Sequence, residues 1–131
     1  MARVLVDTSV WIEFFRKHEP YHAIVTRLID NEQICCTGII LAELMQGAKS
    51  VKELAVLGDF LHVFEFIPET AELWAEAGRL AFNLRRKGLT TGLADCFIAV
   101  AASHARVSLA SLDGHFETIK KPAKISLYPL E

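Results

Sequence analysis

Arg3-Val4-Leu5-Val6-Asp7-Thr8-Ser9-Val10-Trp11-Ile12 is the stretch on which the fold turns. Val4-Leu5-Val6 is a short apolar run, two of its three residues β-branched, which suits a strand covered on both faces. Asp7 stops the run. Thr8 and Ser9 follow, and both residue types can cap the start of a helix. An Asp at the carboxyl end of a central strand points into the crevice where open α/β sheets bind ligands. The plainer alternative is that Asp7 only serves a turn or a cap, and the rest of the chain has to decide between them.

Outward from that strand, Val10, Trp11, Phe14 and Phe15 recur at helical spacing. Pro20 opens a second helix, with Ala23, Ile24, Leu28 and Ile29 as its buried stripe. Ile34-Thr37 reads as the second strand, and Ile39 to Gln46 as a helix stopped by Gly47. A helix over 51–61 is predicted to turn Leu54, Leu57 and Leu61 inward, and the alternating run Val63-Ile67 predicts a third strand. The longest helix, 69–87, carries Arg85-Arg86-Lys87 at its end, where cations suit the helix dipole, and Gly88 closes it. The helix over 93–104 is apolar nearly all round and so should be central. Val107-Ala110 is a fourth strand, Gly114-Glu117 a short helical turn, and Ile125-Tyr128 a weak edge strand. Strands alternating with helices imply an α/β fold, residues 1–131 as one domain, with a central parallel sheet of four to five strands flanked by helices.

The 131 residues are enough for one sizeable core. An apolar share of 52% and a mean hydropathy of +0.29 are high for a small monomer, so some apolar surface should be covered by another chain. A net charge of −2 provides no global attraction to nucleic acid, and any such binding needs local basic patches. Cys35, Cys36 and Cys96 have neither disulfide nor zinc spacing and read as small buried hydrophobes. Charges interrupt the first apolar run, and no stretch approaches the roughly 20 apolar residues of a membrane span. The expectation is a cytoplasmic protein with no membrane role.

Four carboxylates are placed to meet. Asp7 ends the first strand and Asp113 follows the fourth, so a parallel sheet puts both at one edge. Asp95 opens the helix that feeds the fourth strand, and that helix begins at the same edge. Glu43 sits among Ile39, Ile40, Leu41, Ala42, Leu44 and Met45, with no cation in the segment to pair with it. Two unit charges about 5 Å apart repel by roughly 3 kcal/mol at an effective dielectric near 20. Four together need protonation or a divalent cation. An all-oxygen site suits Mg²⁺ or Mn²⁺, which can activate water and stabilise charge building on a phosphate. That chemistry is phosphodiester hydrolysis.

At these residues the chain resembles the PIN-domain ribonucleases, specifically the VapC-type toxins of type II toxin–antitoxin pairs. Val6-Asp7-Thr8-Ser9-Val10-Trp11-Ile12, Leu41-Ala42-Glu43-Leu44 with Gly47, Ala94-Asp95-Cys96-Phe97-Ile98-Ala99 and Leu112-Asp113-Gly114-His115-Phe116 recur in the family's order across nearly the full length. The resemblance implies a Mg²⁺-dependent endoribonuclease, with Mn²⁺ as the other candidate, cutting structured RNA such as tRNA or rRNA. It also implies a homodimer silenced by a cognate antitoxin. Carried over by position, Asp7, Glu43, Asp95 and Asp113 form the acidic site, with Asp7 and Asp95 the surest metal ligands. Ser111 stands where the family has Thr or Ser, to orient Asp113 or a metal-bound water, or else simply to satisfy backbone. Thr90-Thr91-Gly92 brings no further acid, which favours one metal over two.

Arg85, Arg86 and Lys87 could guide an RNA backbone to the site, or serve only as a solvated helix end. Lys120, Lys121 and Lys124 form a second basic patch. His115 could touch the phosphate or act as an acid, whereas His18, His22, His62 and His104 show no ligand spacing. Two rivals stand beside the nuclease. One is a non-catalytic RNA- or protein-binding module of the same fold, against which stands the complete acid set. The other is a phosphoacceptor receiver domain, which would carry paired acids after the first strand where this chain has Asp7-Thr8.

Overall fold

Val4–Val6 (β1), Ile34–Cys36 (β2), Glu65–Phe66 (β3) and Ser108–Ala110 (β4) form a parallel sheet in the order β3-β2-β1-β4. The computed structural model describes residues 2–131. Val4 pairs with Ile34 on one side and Ser108 on the other, so β1 is an internal strand, as is β2. All three of its side chains are buried, as are those of β2.

Eight helices fill the connections among the described residues. They are Thr8–Phe15 (α1), Tyr21–Asp30 (α2), Gly38–Gln46 (α3), Val51–Gly58 (α4), Phe60–Val63 (α5), Ala71–Arg86 (α6), Leu93–Ala105 (α7) and His115–Ala123 (α8). The chain steps from β1 to β2 to β3 in one direction and then returns past β1 to β4. Right-handed crossovers therefore put α1 to α5 on one face and α6 and α7 on the other. The packing follows: α1 meets α2 and α3, while α7 meets α6 and α8. Every α7 residue from Cys96 to Ala102 is buried, so the apolar helix is central as predicted. The reversal of direction between β1 and β4 creates the switch point at their carboxyl ends.

Hydroxyls start three helices. Thr37, Ser50 and Thr70 each accept the backbone N–H three residues on, at 3.4, 3.1 and 3.1 Å. Gly38 is a close approach: a Cβ there would stand 2.5 Å from Glu69 Oε2, the oxygen that accepts the Gly38 N–H at 2.9 Å. Gly88 ends α6 with φ +82°, its N–H bonded to Arg85 O and that of Leu89 to Leu84 O. α1, α2, α7 and α8 end with the same pair of bonds, but Lys17, Glu32, Arg106 and Lys124 take the left-handed position there.

The structure moves several predicted boundaries. The helix expected over 51–61 breaks at Gly58-Asp59, both poor helix formers, and this swings Phe60 to within 4.9 Å of the Trp11 ring. Leu57 is buried, but Leu54 and Leu61 are 39% and 59% exposed instead of inward. Val63 belongs to α5, so the third strand shrinks to two residues. In α2 the buried stripe is Ile24, Val25 and Leu28, and Ala23 faces out. The short turn after Gly114 is a nine-residue helix that buries Phe116 and Ile119 and runs through Pro122 in its last turn. The edge strand at 125–128 reduces to one bridge, Leu127 to Leu109, bonded through Ser126 O and the Tyr128 N–H. Pro129, with no N–H, cannot extend it.

Trp11 anchors an aromatic cluster with Phe14, Phe15, Phe60 and Phe64, and Trp74 stacks on Phe97 at 3.8 Å. All three cysteines are free and buried, and burial pushes Cys35 and Cys36 up to about 11 and about 12, so both remain thiols. No helix among the described residues is long and apolar enough to cross a membrane. The broken helix yields a direct test. Leu57→Ala is expected to lower the unfolding free energy by about 2–5 kcal/mol, and Leu61→Ala by no more than about 0.5 kcal/mol. Urea denaturation with unchanged m-values reads both; equal losses would restore the continuous helix.

Candidate metal centre

The end of β1 delivers Asp7 to the switch point. Its backbone N–H bonds to Ala110 O of β4 at 2.9 Å, and its carbonyl accepts the first α1 N–H groups, from Val10 at 3.1 Å and Trp11 at 3.2 Å. The main chain thus occupies the cap position while the side chain makes no cap bond. Instead, Asp7 Oδ2 accepts the Ser111 hydroxyl at 2.7 Å and the Ser9 hydroxyl at 3.0 Å. Asp7 is 6% exposed, and two hydroxyl donors on one oxygen are what a buried carboxylate requires.

The same hydroxyls order the loop after β4. Ser9 Oγ accepts the Leu112 N–H and Ser111 Oγ accepts the Asp113 N–H, each at 3.0 Å. Asp113 then turns onto its own loop, where Oδ1 accepts the His115 N–H at 2.9 Å. Ser111 therefore does two things at once: it satisfies backbone, and the carboxylate it orients is Asp7, with Asp113 reached only through its N–H.

Glu43 projects from α3, half-buried, and accepts the Thr8 hydroxyl at 2.9 Å. Asp95 lies in the first turn of α7. Burial pushes its carboxyl above the ordinary range, the negative charges of Asp113 and Asp7 push it further, and Glu43 adds to them. Only His115 pulls it down. All four predicted acids thus share one electrostatic neighbourhood. One oxygen each of Asp95 and Asp113 and one ring nitrogen of His115 lie within 4.8 Å of one another. The His115 Nδ1 stands 3.1 Å from Asp113 Oδ1 and 3.7 Å from Asp95 Oδ2.

Thr8, Ser9 and His115 belong to this assembly; the sequence offered Thr8 and Ser9 only as helix caps, and His115 as a group that could touch a phosphate or act as an acid. The available signal was two hydroxyls directly after a strand-ending Asp, and a histidine two residues after another. Among the described residues no Lys or Arg forms an ion pair with any of the four acids. Such a donor set, convergent carboxylates with one imidazole and no organic cation, fits a small divalent metal ion. Two open clefts border it. One, of about 750 Å³, includes Ser111, Asp113, Tyr21 and Tyr128; the other, of about 600 Å³, includes Thr8, Glu43, Ile12 and Phe15.

Arg85, Arg86 and Lys87 sit exposed at the end of α6, without ion pairs among the described residues. Arg86 lies over the Phe82 ring at 5.7 Å, and Arg86 and Lys87 line a cleft with Pro122 of α8. In the second basic patch, Lys120 is paired with Glu117 at 2.7 Å.

The PIN domain family model matches residues 4–122. Ribonuclease VapC2 of Rickettsia felis is 32% identical over 113 residues, covering 82% of each chain. The tRNA(fMet)-specific endonuclease VapC of Salmonella typhimurium is 30% identical over 103 residues, covering 76% of this chain and 77% of its own. The crystal structure of VapBC2 from R. felis, bound to a DNA fragment from its promoter, superposes with a TM-score of 0.77 at 26% identity, covering 98% of each chain.

The raised Asp95 predicts an inverted pH response. The folded, metal-free chain holds a proton on Asp95 at a pH where the unfolded chain has lost it. Stability should therefore rise as pH falls through the Asp95 titration, and decline above it. Asp95→Asn is expected to melt higher than the native chain in chelator at neutral pH. That gap should close on acidification towards the ordinary carboxylate range near 3.9. Thermal melts in chelator across pH check this; a variant that melts lower at neutral pH would contradict it.

Proposed function

The chain belongs to the PIN domain family, among its VapC-type proteins, and on that premise we propose that it is a metal-dependent endoribonuclease cutting structured RNA such as tRNA or rRNA. The observation that carries this reading is the meeting of four acids from four separate elements around Asp95, with no organic cation among the described residues to neutralise them. Repulsion of that kind is costly to keep unless an ion removes it. Names of the relatives support ribonuclease chemistry, and one relative's name supports tRNA in particular.

In this reading residues 1–131 act as one domain. Asp7, Glu43, Asp95 and Asp113 hold Mg²⁺, with Mn²⁺ the other candidate, and a single ion rather than two. A divalent ion held there lowers the pKa of water and neutralises charge developing on a phosphate. The protein's own part is orientation. Ser9 and Ser111 fix one oxygen of Asp7 and leave the other for the site, and Thr8 does the same for Glu43. The two bordering clefts leave room for a strand to pass on either side. Arg85, Arg86 and Lys87, exposed and without ion pairs among the described residues, hold phosphates at a distance from the chemistry.

The protein acts in the cytoplasm, where such RNAs are, as the toxin of a type II pair restrained by a cognate antitoxin. The toxin–antitoxin complexes among the structural relatives support such a partner. A homodimer would cover the apolar surface that the monomer leaves open, including Leu61 at 59% and Val63 at 65% exposure.

Asp7→Asn and Asp95→Asn are each expected to lower RNA cleavage by about 100-fold or more while leaving a cooperative melt. The measurement is cleavage of total cellular RNA, and of purified tRNA and rRNA, in Mg²⁺. Full activity in either variant, or no cleavage by the native chain with any of these RNAs, would favour the non-catalytic binding module. Replacing Arg85, Arg86 and Lys87 together by Ala is expected to weaken RNA binding at low salt. It should also flatten the salt dependence by roughly 0.7 log units for each phosphate that the chain no longer neutralises. Binding to a catalytically silent Asp95→Asn background reads this; an unchanged salt slope would reduce the three to a solvated helix end.

A further inference from the structure

We propose that His115 is itself a metal ligand through Nδ1, so that the centre is a mixed oxygen–nitrogen site that prefers Mn²⁺ to Mg²⁺. This rests on the metal-dependent reading above, and adds to it a donor of a different chemical kind.

The geometry is that of neighbouring donors around one ion. In octahedral coordination with bonds of about 2.1 Å, adjacent donors stand about 3 Å apart and opposite ones about 4.2 Å. His115 Nδ1 is 3.1 Å from Asp113 Oδ1 and 3.7 Å from Asp95 Oδ2. One donor atom from each of the three residues lies within 4.8 Å of the other two.

The ring's position is not explained by packing. The His115 side chain is 63% exposed, whereas the residues that α8 buries are Phe116 and Ile119. What holds it is its own backbone: as the first residue of α8, His115 donates its N–H to Asp113 Oδ1, and the ring folds back onto the same carboxylate. The other histidines with acidic neighbours, His18, His22 and His104, meet one carboxylate each, from Glu13, Glu19 and Glu76. His115 meets two from different elements, α7 and the loop before α8.

In a neutral imidazole whose proton sits on Nε2, Nδ1 would offer its lone pair to an ion held beside the Asp113 and Asp95 carboxylates. A neutral imidazole changes the selectivity of the site. Mg²⁺ favours oxygen donors and water, whereas transition ions accept nitrogen readily, and among these Mn²⁺ best tolerates the carboxylates that surround it here.

The test uses Mn²⁺ itself as the probe. Electron spin-echo envelope modulation of the native chain with one equivalent of Mn²⁺ should show the coupling of a directly bound ¹⁴N, and His115→Gln should abolish it. Calorimetric titrations should show Mn²⁺ affinity falling by about tenfold or more in His115→Gln, with Mg²⁺ affinity changed much less. Mn²⁺ bound in an Asp95-dependent way but without ¹⁴N coupling would overturn the proposal and leave the carboxylate centre standing. Coupling that persists in His115→Gln would overturn it as well, by assigning the nitrogen to another histidine. Mn²⁺ binding unaffected by Asp95→Asn, or no binding at all, would sink the metal centre and this proposal together.

Discussion

The hydrogen bond from Ser111 to Asp7 joins residues 104 positions apart across the β1–β4 crevice. It is the tie on which the centre depends. The backbone ladder between β1 and β4 sets the register, but a ladder alone would leave a buried carboxylate facing other carboxylates. The Ser111 and Ser9 hydroxyls convert that position into one a charged group can occupy, because hydrogen bonds to the ionised form oppose both burial and repulsion. The same two oxygens then accept the Leu112 and Asp113 N–H groups, so the loop that brings Asp113 is built from the atoms that hold Asp7. Two small side chains thus link the anchoring of one acid to the placement of another.

Much of this could be read from the residues before any coordinates. β1 and α7 were legible because burial on all sides leaves an unbroken apolar run, and a polar residue that interrupts such a run stands out. Asp7 and Asp95 are those interruptions. Glu43 was legible for the same reason, as a lone acid in an apolar turn. The convergence of these acids followed from parallel topology, which sends every strand's carboxyl end to one edge. What escaped reading has equally specific causes. Leu54 and Leu61 continue a helical stripe whose axis turns at Gly58-Asp59, and periodicity carries no information about a change of axis. Four helices end on Lys17, Glu32, Arg106 and Lys124 in the left-handed conformation, where the chain closes its last carbonyls without the glycine that marks such ends. α8 extends well past the short turn read over 114–117 and runs through Pro122, since a proline in the last turn forfeits only one bond.

Thr8 and Ser9 are a subtler case. Both are of the type that starts helices, and both do follow a strand. Yet the main chain of Asp7 takes the cap position, so the two hydroxyls are released to bond Glu43 and Asp7. The local rule is broken where the site is built, and the helix start that a hydroxyl would normally stabilise is left uncapped by side chains. Elsewhere in the chain Thr37, Ser50 and Thr70 follow the rule. Asp59, at the start of α5, also makes no side-chain cap bond, so what is particular to α1 is that its freed hydroxyls bond the acids.

The four acids are not equivalent, and the difference assigns them different work. Asp7 and Glu43 each accept a hydroxyl from α1, and Asp7 accepts a second from Ser111. Asp113 Oδ1 accepts the His115 backbone N–H and lies 3.1 Å from its ring Nδ1. Asp95 has only the more distant His115 ring in its favour, against burial and three negative neighbours. It is therefore the acid whose ionisation a cation in this crevice would favour most, because the cation would offset burial and repulsion together. Were an ion held there, its binding and Asp95 ionisation would be linked, and affinity would weaken towards acid. The hydroxyl-held pair would then supply the frame, and Asp95 would be the member that responds.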